Sequence, residues 1–326
     1  MGEMGLDPGI DHMSAMQRLD NIRSQGGNIL AFRSFTGGLM APGSDDNPWR
    51  YKITWNPRNV VLAGQGTAQY LSEGKLKFIP YSRLFGNPWP IEIPGLGQLD
   101  AYANRDSLLY RQQYNLNDIP TILRGTLRYA GFCQAWDALI KIGLTDADFP
   151  ILDSESITYH ELMEAFAPRG GGSVKDRIAG LLDEKPDGPV MQKLEWLGLF
   201  SKKRIRLRDA TPALILQQLL EQKWQLKPED RDLVAMQHQI DYALEGRHYR
   251  ETSNLILEGA DADDTAMART VGLPLGIFVR LICEGKINAK GVHIPTMREV
   301  YEPVLNELET YGMRFIDETV ELPSLL

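Results

Sequence analysis

From about Gly125 to Leu226 the apolar residues recur at helical spacing, and no clear strand interrupts them. Phe132, Trp136, Leu139 and Ile140 share one helical face, and further helices are predicted over Glu161–Phe166, Val174–Leu182, Val190–Leu199 and Pro212–Trp224. Both flanks read differently. Asn28–Phe35 (NILAFRSF) is strand-like, and Tyr70–Tyr81 holds two short strands around the turn Ser72-Glu73-Gly74. Leu233–Leu244 and Tyr249–Leu257 flank Glu245-Gly246 as a hairpin, and Met313–Leu322 is a last strand. A sheet, then helices, then a sheet again predicts a mixed α/β domain, residues 1–124 and 227–326, with an all-helical domain inserted over residues 125–226. A length of 326 residues suits two domains at about 150 residues each.

Local signals fill in the flanks. Asp7-Pro8-Gly9 is a turn, and Asp11 is the expected cap of a helix through Met16, Leu19 and Ile22 that Gly26-Gly27 ends. Tyr51–Trp55 reads as extended. Asn56 then caps a helix with Pro57 at its first position, where a missing N–H costs nothing, and Gly64 is its expected end. Thr265–Cys283 is an apolar helix bent near Gly272 and Pro274, and Thr296–Tyr311 is another, ended by Gly312.

Composition excludes several functions. Lys plus Arg is 35 against 43 Asp plus Glu, a net charge of -8, which disfavours a strongly electropositive nucleic-acid binder. No apolar run approaches the ~20 residues of a membrane span, and the N-terminus lacks the basic and apolar regions of a secretory signal. Two distant cysteines, Cys133 and Cys283, suit a reducing cytoplasm. Val60–Gln69 (VVLAGQGTAQ) misses the third glycine of a dinucleotide loop. Gly170-Gly171-Gly172-Ser173 lacks the Lys of a phosphate loop and reads as a turn with Ser173 as helix cap; Lys202–Arg208 reads as a solvated basic run. The five histidines have no metal-ligand spacing, so no metal site is expected, and no serine sits in a GxSxG elbow. What remains is a polar set in turn-rich positions: Asp7, Asp11, His12, Lys52, Arg58, Arg105, Asp106, Arg124 and Arg128. Loop arginines suit bidentate carboxylate recognition, with surface salt bridging as the competing reading.

Nine short stretches, in order along the chain, share a resemblance. They are Gly5–His12 (GLDPGIDH), Ser34–Leu39 (SFTGGL), Asn47–Lys52 (NPWRYK), Asn104–Ser107 (NRDS), Arg124–Tyr129 (RGTLRY), Gly131-Phe132, Ala266–Ala268 (AMA), Thr270–Pro274 (TVGLP) and Gly291–Pro295 (GVHIP). Together they resemble the glutamate-forming saccharopine dehydrogenases, also called saccharopine reductases. The resemblance implies a mixed-sheet catalytic domain, similar to the C-terminal domain of glyceraldehyde-phosphate-type dehydrogenases, with an inserted helical domain. It implies NAD(P)-dependent interconversion of saccharopine with glutamate plus aminoadipate semialdehyde through an imine. The family's substrate residues fall on Asp7, Arg105, Thr126, Leu127 and Arg128, with Asp7 catalytic at the amine and Arg105 and Arg128 as carboxylate clamps. Leu6, Trp55 and Asn56 match positions beside the nicotinamide of NADP or NAD.

The family's N-terminal Rossmann domain has no counterpart in the sequence. The expectation is a fragment of a longer cytoplasmic enzyme, a homodimer acting on a small amino-acid substrate, without nucleic-acid or membrane partners, its cofactor bound mainly by the missing domain. Three departures bear on the substrate. Thr36 stands where family members often have Cys, Trp49 and Arg50 replace a smaller pair, and Ala103 replaces the Pro before Asn-Arg-Asp. Two alternatives stay open: an imine reductase forming a carboxyspermidine- or opine-type product, and a non-enzymatic amino-acid-binding module.

Overall fold

Helix α1 (Ile10–Ser24) starts from Gly9, not from a cap at Asp11. Asp11 lies in the first turn, and its Oδ1 reaches back to accept from the Gly9 N–H at 2.6 Å. The preceding turn is tight: Gly5 N–H donates to the Pro8 carbonyl at 3.1 Å, and Ile10 and Asp11 N–H return to Gly5 and Leu6 carbonyls. A Cβ on Gly9 (φ +150°) would stand 2.0 Å from the Gly5 carbonyl oxygen, so only glycine fits there. These details come from a computed structural model, which describes residues 1–323.

Strand β1 (Asn28–Met40) extends the predicted strand, and α2 (Pro57–Leu62) follows with Asn56 Oδ1 accepting from the Arg58 N–H at 3.0 Å. The hairpin β2 (Ala68–Ser72) and β3 (Lys75–Ile79) turns at Glu73-Gly74, as its sequence demands. Next come β4 (Trp89–Ile93), β5 (Gly97–Ala103), the short α3 (Leu109–Gln113) and β6 (Thr121–Tyr129). Five helices follow: α4 (Phe132–Ile142), α5 (Tyr159–Phe166), α6 (Val174–Leu182), α7 (Pro189–Leu197) and α8 (Pro212–Lys223). Ser173 caps α6 in a reciprocal box with Asp176, and Thr158 does the same for α5 with Glu161. Strands β7 (Asp232–Leu244) and β8 (Arg247–Glu258), helices α9 (Ala266–Cys283) and α10 (Arg298–Thr310), and β9 (Ile316–Leu322) complete the chain.

Two expectations need correction. Residues 125–129, assigned to the start of the helical insertion, belong to β6, and so do Thr126, Leu127 and Arg128. Tyr51–Trp55 forms no strand; Ile53 N–H instead donates to the Trp224 carbonyl at the end of α8.

The strands form one nine-stranded mixed sheet in the order β3-β2-β6-β1-β7-β8-β9, with β5 joining the free length of β6 and β4 pairing β5. Among the nine described strands, β1 and β6 pair in parallel and the other strand pairs are antiparallel. Parallel neighbours need a long crossover, here the segment from α2 to α3. Helices α1, α9 and α10 cover one sheet face through Ile10, Met13, Leu19, Phe278, Val300 and Val304. Helix α9 is long and apolar enough to cross a membrane by length and composition alone, but Ile277, Phe278 and Leu281 pack into this core. Helices α4–α8 meet the sheet through an aromatic cluster of Trp49, Tyr51, Phe132, Trp136 and Trp224.

Candidate active site

Strand β6 organises the polar residues. Its pleat puts Arg124, Thr126 and Arg128 on one face and Leu123, Gly125 and Leu127 on the other. In the parallel register Arg124 pairs with Ser34 and Thr126 with Thr36, so both strands present polar groups side by side. Gly125 permits this approach, because a Cβ there would lie 2.7 Å from Phe35 Cδ1 and 3.0 Å from the Tyr102 carbonyl.

Arg124 joins two acids. Its Nη2 donates to Asp7 Oδ1 and, at 2.6 Å, to Asp11 Oδ2. The guanidinium lies 3.9 Å over the ring of Tyr110, which stacks in turn on His12 at 5.4 Å. His12 is fully buried, with Nε2 2.5 Å from Glu3 Oε2 and Nδ1 2.8 Å from the Tyr114 hydroxyl. Burial pushes the Asp7 carboxyl above its usual range, against the pull of Arg124. Burial also pushes Asp11 upward, but Arg124, His12 and the Gly9 N–H outweigh it and hold that carboxyl below its usual range. Beneath them His238 bridges Ser34 Oγ (3.0 Å) and Ser14 Oγ (2.7 Å); burial lowers its pKa to about 4, so it is neutral. Thr36 Oγ1 is buried beside Asp7, where its hydroxyl works against the upward push of burial on that carboxyl.

Arg128 is different in kind. It is buried, and its ion is paired with no carboxylate among the described residues. Nη1 donates to its neighbour's carbonyl, Leu127 O, at 2.8 Å, and Nε has no partner. Around it stand Tyr51, Phe132 and Tyr102, with ring centres at 5.1, 5.4 and 5.9 Å. Aromatic faces compensate only part of the desolvation of a buried cation, so this arrangement is suited to receive an anion.

The other sequence candidates scatter. Arg105 is exposed, in a left-handed conformation (φ 46°) just past the Ala103–Gly125 pair of β5 and β6. That is about five residues, or ~16 Å, along the sheet from Arg128. Asp106 does not bridge it; its Oδ1 accepts from the Leu108 N–H at 2.8 Å. Leu127 is core, and Thr126 is half-buried beside Tyr102. Leu6 is buried under α1, next to Asp7. Trp55 is exposed, its indole N–H held by the Tyr51 hydroxyl at 3.0 Å, and Asn56 is the exposed cap of α2. Val60–Gln69 runs from α2 through a single helical turn into β2, the reverse of the strand–turn–helix order that cradles dinucleotide phosphates. Lys52 is structural, buried between Asp230 (2.6 Å) and Asp46 (2.8 Å). The sequence marks Asp11 as a helix cap and puts Asp11 and Arg124 in family-like stretches and in the polar set, but it does not reveal their pairing or the Tyr51–Tyr102–Phe132 cage. The alternation in RGTLRY was the available signal.

Comparison with known proteins gives a consistent answer. The saccharopine dehydrogenase C-terminal domain family matches residues 5–313. Saccharopine dehydrogenase [NADP(+), L-glutamate-forming] of Saccharomyces cerevisiae is 34% identical over 331 residues, covering 98% of this chain and 73% of the relative. The mitochondrial alpha-aminoadipic semialdehyde synthase of Mus musculus is 32% identical over 323 residues, covering 97% of this chain and 35% of the relative. The solved apo structure of the S. cerevisiae saccharopine dehydrogenase superimposes with a TM-score of 0.87 at 32% identity, over 98% of this chain and 73% of that one. With the Asp7–Arg124–Asp11 cluster and the Arg128 cage set in the matched fold, the chain belongs to the saccharopine dehydrogenase family.

Proposed function

We propose that this chain forms the substrate-binding and catalytic part of an NADP- or NAD-dependent, glutamate-forming saccharopine dehydrogenase of lysine metabolism. The observation that carries the reading is Arg128, a buried cation caged by three rings and without a carboxylate partner among the described residues, in a chain of this family. Saccharopine carries three carboxylates and two amines. Arg128 takes one carboxylate in the cage, and Arg105 takes another at the exposed rim. Thr126 and the Leu127 backbone add polar contacts on β6, and Asp7 faces the secondary amine. An acidic cation-binding patch, which a polyamine product would call for, is the opposite of the Arg128 cage.

In the oxidative direction the secondary ammonium gives its proton to Asp7. The nitrogen lone pair then forms a C=N bond as hydride leaves the neighbouring carbon. A bound nicotinamide supplies the hydride acceptor; Leu6, Trp55 and Asn56 would border it, and its phosphates would be held by a nucleotide-binding domain outside these residues. Water adds to the imine carbon and the C–N bond breaks, releasing glutamate and aminoadipate semialdehyde. Asp7 holds or returns the proton at each step.

The same reading makes the protein a cytoplasmic homodimer that acts on a small amino-acid substrate, with neither nucleic acid nor membrane as partner. The net charge of -8 supports the former exclusion, and exposed Ile316 and Val320 on the edge strand β9 support self-association. The test is saccharopine titration of this chain by calorimetry, with nicotinamide reduction assayed in the presence of a family nucleotide-binding domain. Binding and saccharopine-dependent reduction are expected; neither binding nor turnover would overturn the reading. Sedimentation at high concentration tests the dimer, and a monomer throughout would refute it.

A further inference from the structure

Asp7 and Asp11 share one nitrogen of one guanidinium, yet they are held unequally. Asp11 is 1% exposed and tied at both oxygens: Oδ1 to the Gly9 N–H and Oδ2 to Arg124, each at 2.6 Å. Among the described residues Asp7 has one charged tie, at Oδ1, with the Thr36 hydroxyl beside it, and its side chain keeps 16% of its surface exposed. Arg124 is itself fixed by the Tyr110 ring below it and by its place on a central strand.

We propose that Arg124 and Asp11 are positioning residues for Asp7: Asp11 fixes the guanidinium from behind, and the guanidinium pins one Asp7 oxygen so that the other meets the substrate amine. The proposal rests on the reading of Asp7 as the carboxylate at the reacting nitrogen. It assigns the two acids different tasks. Asp11 is the anchor, and Asp7 is the proton-exchanging member. Two carboxylates whose surroundings push their titrations apart are a recurrent form of acid–base assignment. The directions agree, Asp7 raised by burial and Asp11 lowered by Arg124, His12 and the Gly9 N–H against its own burial.

The charges facing Asp7 come from every side. Arg124 is on β6, Asp11 and His12 are on α1, Thr36 contributes a hydroxyl from β1, and Tyr110 and Tyr114 stand around α3. Glu3 enters through His12. Asp11 therefore has a calculable effect. It shares the Arg124 charge with Asp7 and adds a like charge nearby; both act to raise Asp7.

The test follows Asp7 directly, by carboxyl carbon NMR titration of this chain labelled at aspartate. It also follows the acidic limb of the pH profile for saccharopine oxidation in the enzyme with its nucleotide-binding domain. Asp11→Asn keeps the shape but removes the charge, leaving Arg124 to Asp7 alone. The Asp7 titration and the acidic limb should both move to lower pH by about one unit or more. Arg124→Gln should move both upward by a similar amount, with kcat falling more than the KM for saccharopine rises. Arg124→Lys, which keeps the charge, should return the titration near its original place but only part of kcat; it carries the test with Asp11→Asn if Arg124→Gln does not fold. Altered melting temperatures with the Asp7 titration and the limb unmoved would make the cluster a structural ion pair and overturn the proposal. Asp7→Asn is the separate control. Full turnover in that variant would remove the reading of Asp7 itself, whatever the other variants do.

Discussion

Replacing Arg128 by methionine tests the cage in two measurements that move in opposite senses. A carboxylate seated against the guanidinium gains a charge-assisted hydrogen bond with a net contribution of about 1.5–3 kcal/mol. At ~1.4 kcal/mol per factor of ten, Arg128→Met should weaken saccharopine binding by about 10- to 150-fold. Stability should behave differently. The residue is 5% exposed, and among the described residues it has no carboxylate partner and no acceptor for Nε. Desolvating such an ion costs several kcal/mol, of which the three rings return roughly 0.5–2 kcal/mol each. Methionine fills a similar volume among Tyr51, Tyr102 and Phe132 without that cost. The free protein should therefore melt at the same temperature or up to a few degrees higher. Arg128→Lys should recover only part of the affinity, because an ammonium cannot make the forked contact. Calorimetric titration with saccharopine and a thermal melt on the same preparations decide it. Unchanged affinity together with a lower melting temperature would show that Arg128 holds the fold and not the ligand.

The other predictions concern the supports. Lys52→Met leaves Asp230 buried without its cation, and should cost about 3–5 kcal/mol in a urea titration. For His238 the folded-state pKa of about 4 lies below the ordinary ~6.5, so the unfolded chain binds more protons between these values. Stability is then fully present above pH ~6.5 and falls by up to about 3 kcal/mol as pH drops through 4; His238→Phe should flatten that slope in pH-dependent melts. Lys227 and Lys52 pull Asp46 down to about 2, a depressed carboxylate whose stabilising effect is present above pH ~4 and lost as pH falls through 2. Asp46→Asn should remove that part of the acid transition, a small one because the side chain is 39% exposed. Gly9→Ala should displace the turn that carries Asp7, since its Cβ would strike the Gly5 carbonyl; saccharopine turnover should fall at least tenfold while circular dichroism keeps the native helix and strand content.

Much of the secondary structure was legible because its signals were local. Asn56-Pro57, Ser173, Gly74 and Gly246 each dictate a cap or a turn within a few residues, and the structure has each one. Strand β6 was not legible. Arg124-Gly125-Thr126 offers a strand little propensity, and the pairing that makes it one comes from β1, about ninety residues earlier, and from β5. The same limit applies to the site. The resemblance could mark Arg128 as a carboxylate clamp, but its cage depends on what Tyr51, Tyr102 and Phe132 do around it. Asp11 looked like a helix cap because Asp before a periodic apolar run usually is one. Its second oxygen meets Arg124, 113 positions away, and no local rule reports that.

Strand β6 also acts as a gauge. Arg124, beside the carboxylate proposed to exchange the proton, and Arg128, in the cage, are four residues apart on one central strand, a separation of ~13 Å between their α-carbons. Loops can lengthen and side chains can shorten, but this interval changes only if the strand slips. A slip of one residue would turn both arginines to the opposite face and put Leu123 and Leu127 in their place. Pairing with β1 on one side and with β2 and β5 on the other prevents it. For the proposed substrate, the reach between these two points is thereby set by the backbone of the sheet. Descendants of this fold can change which groups they recognise at either end far more readily than the reach between them.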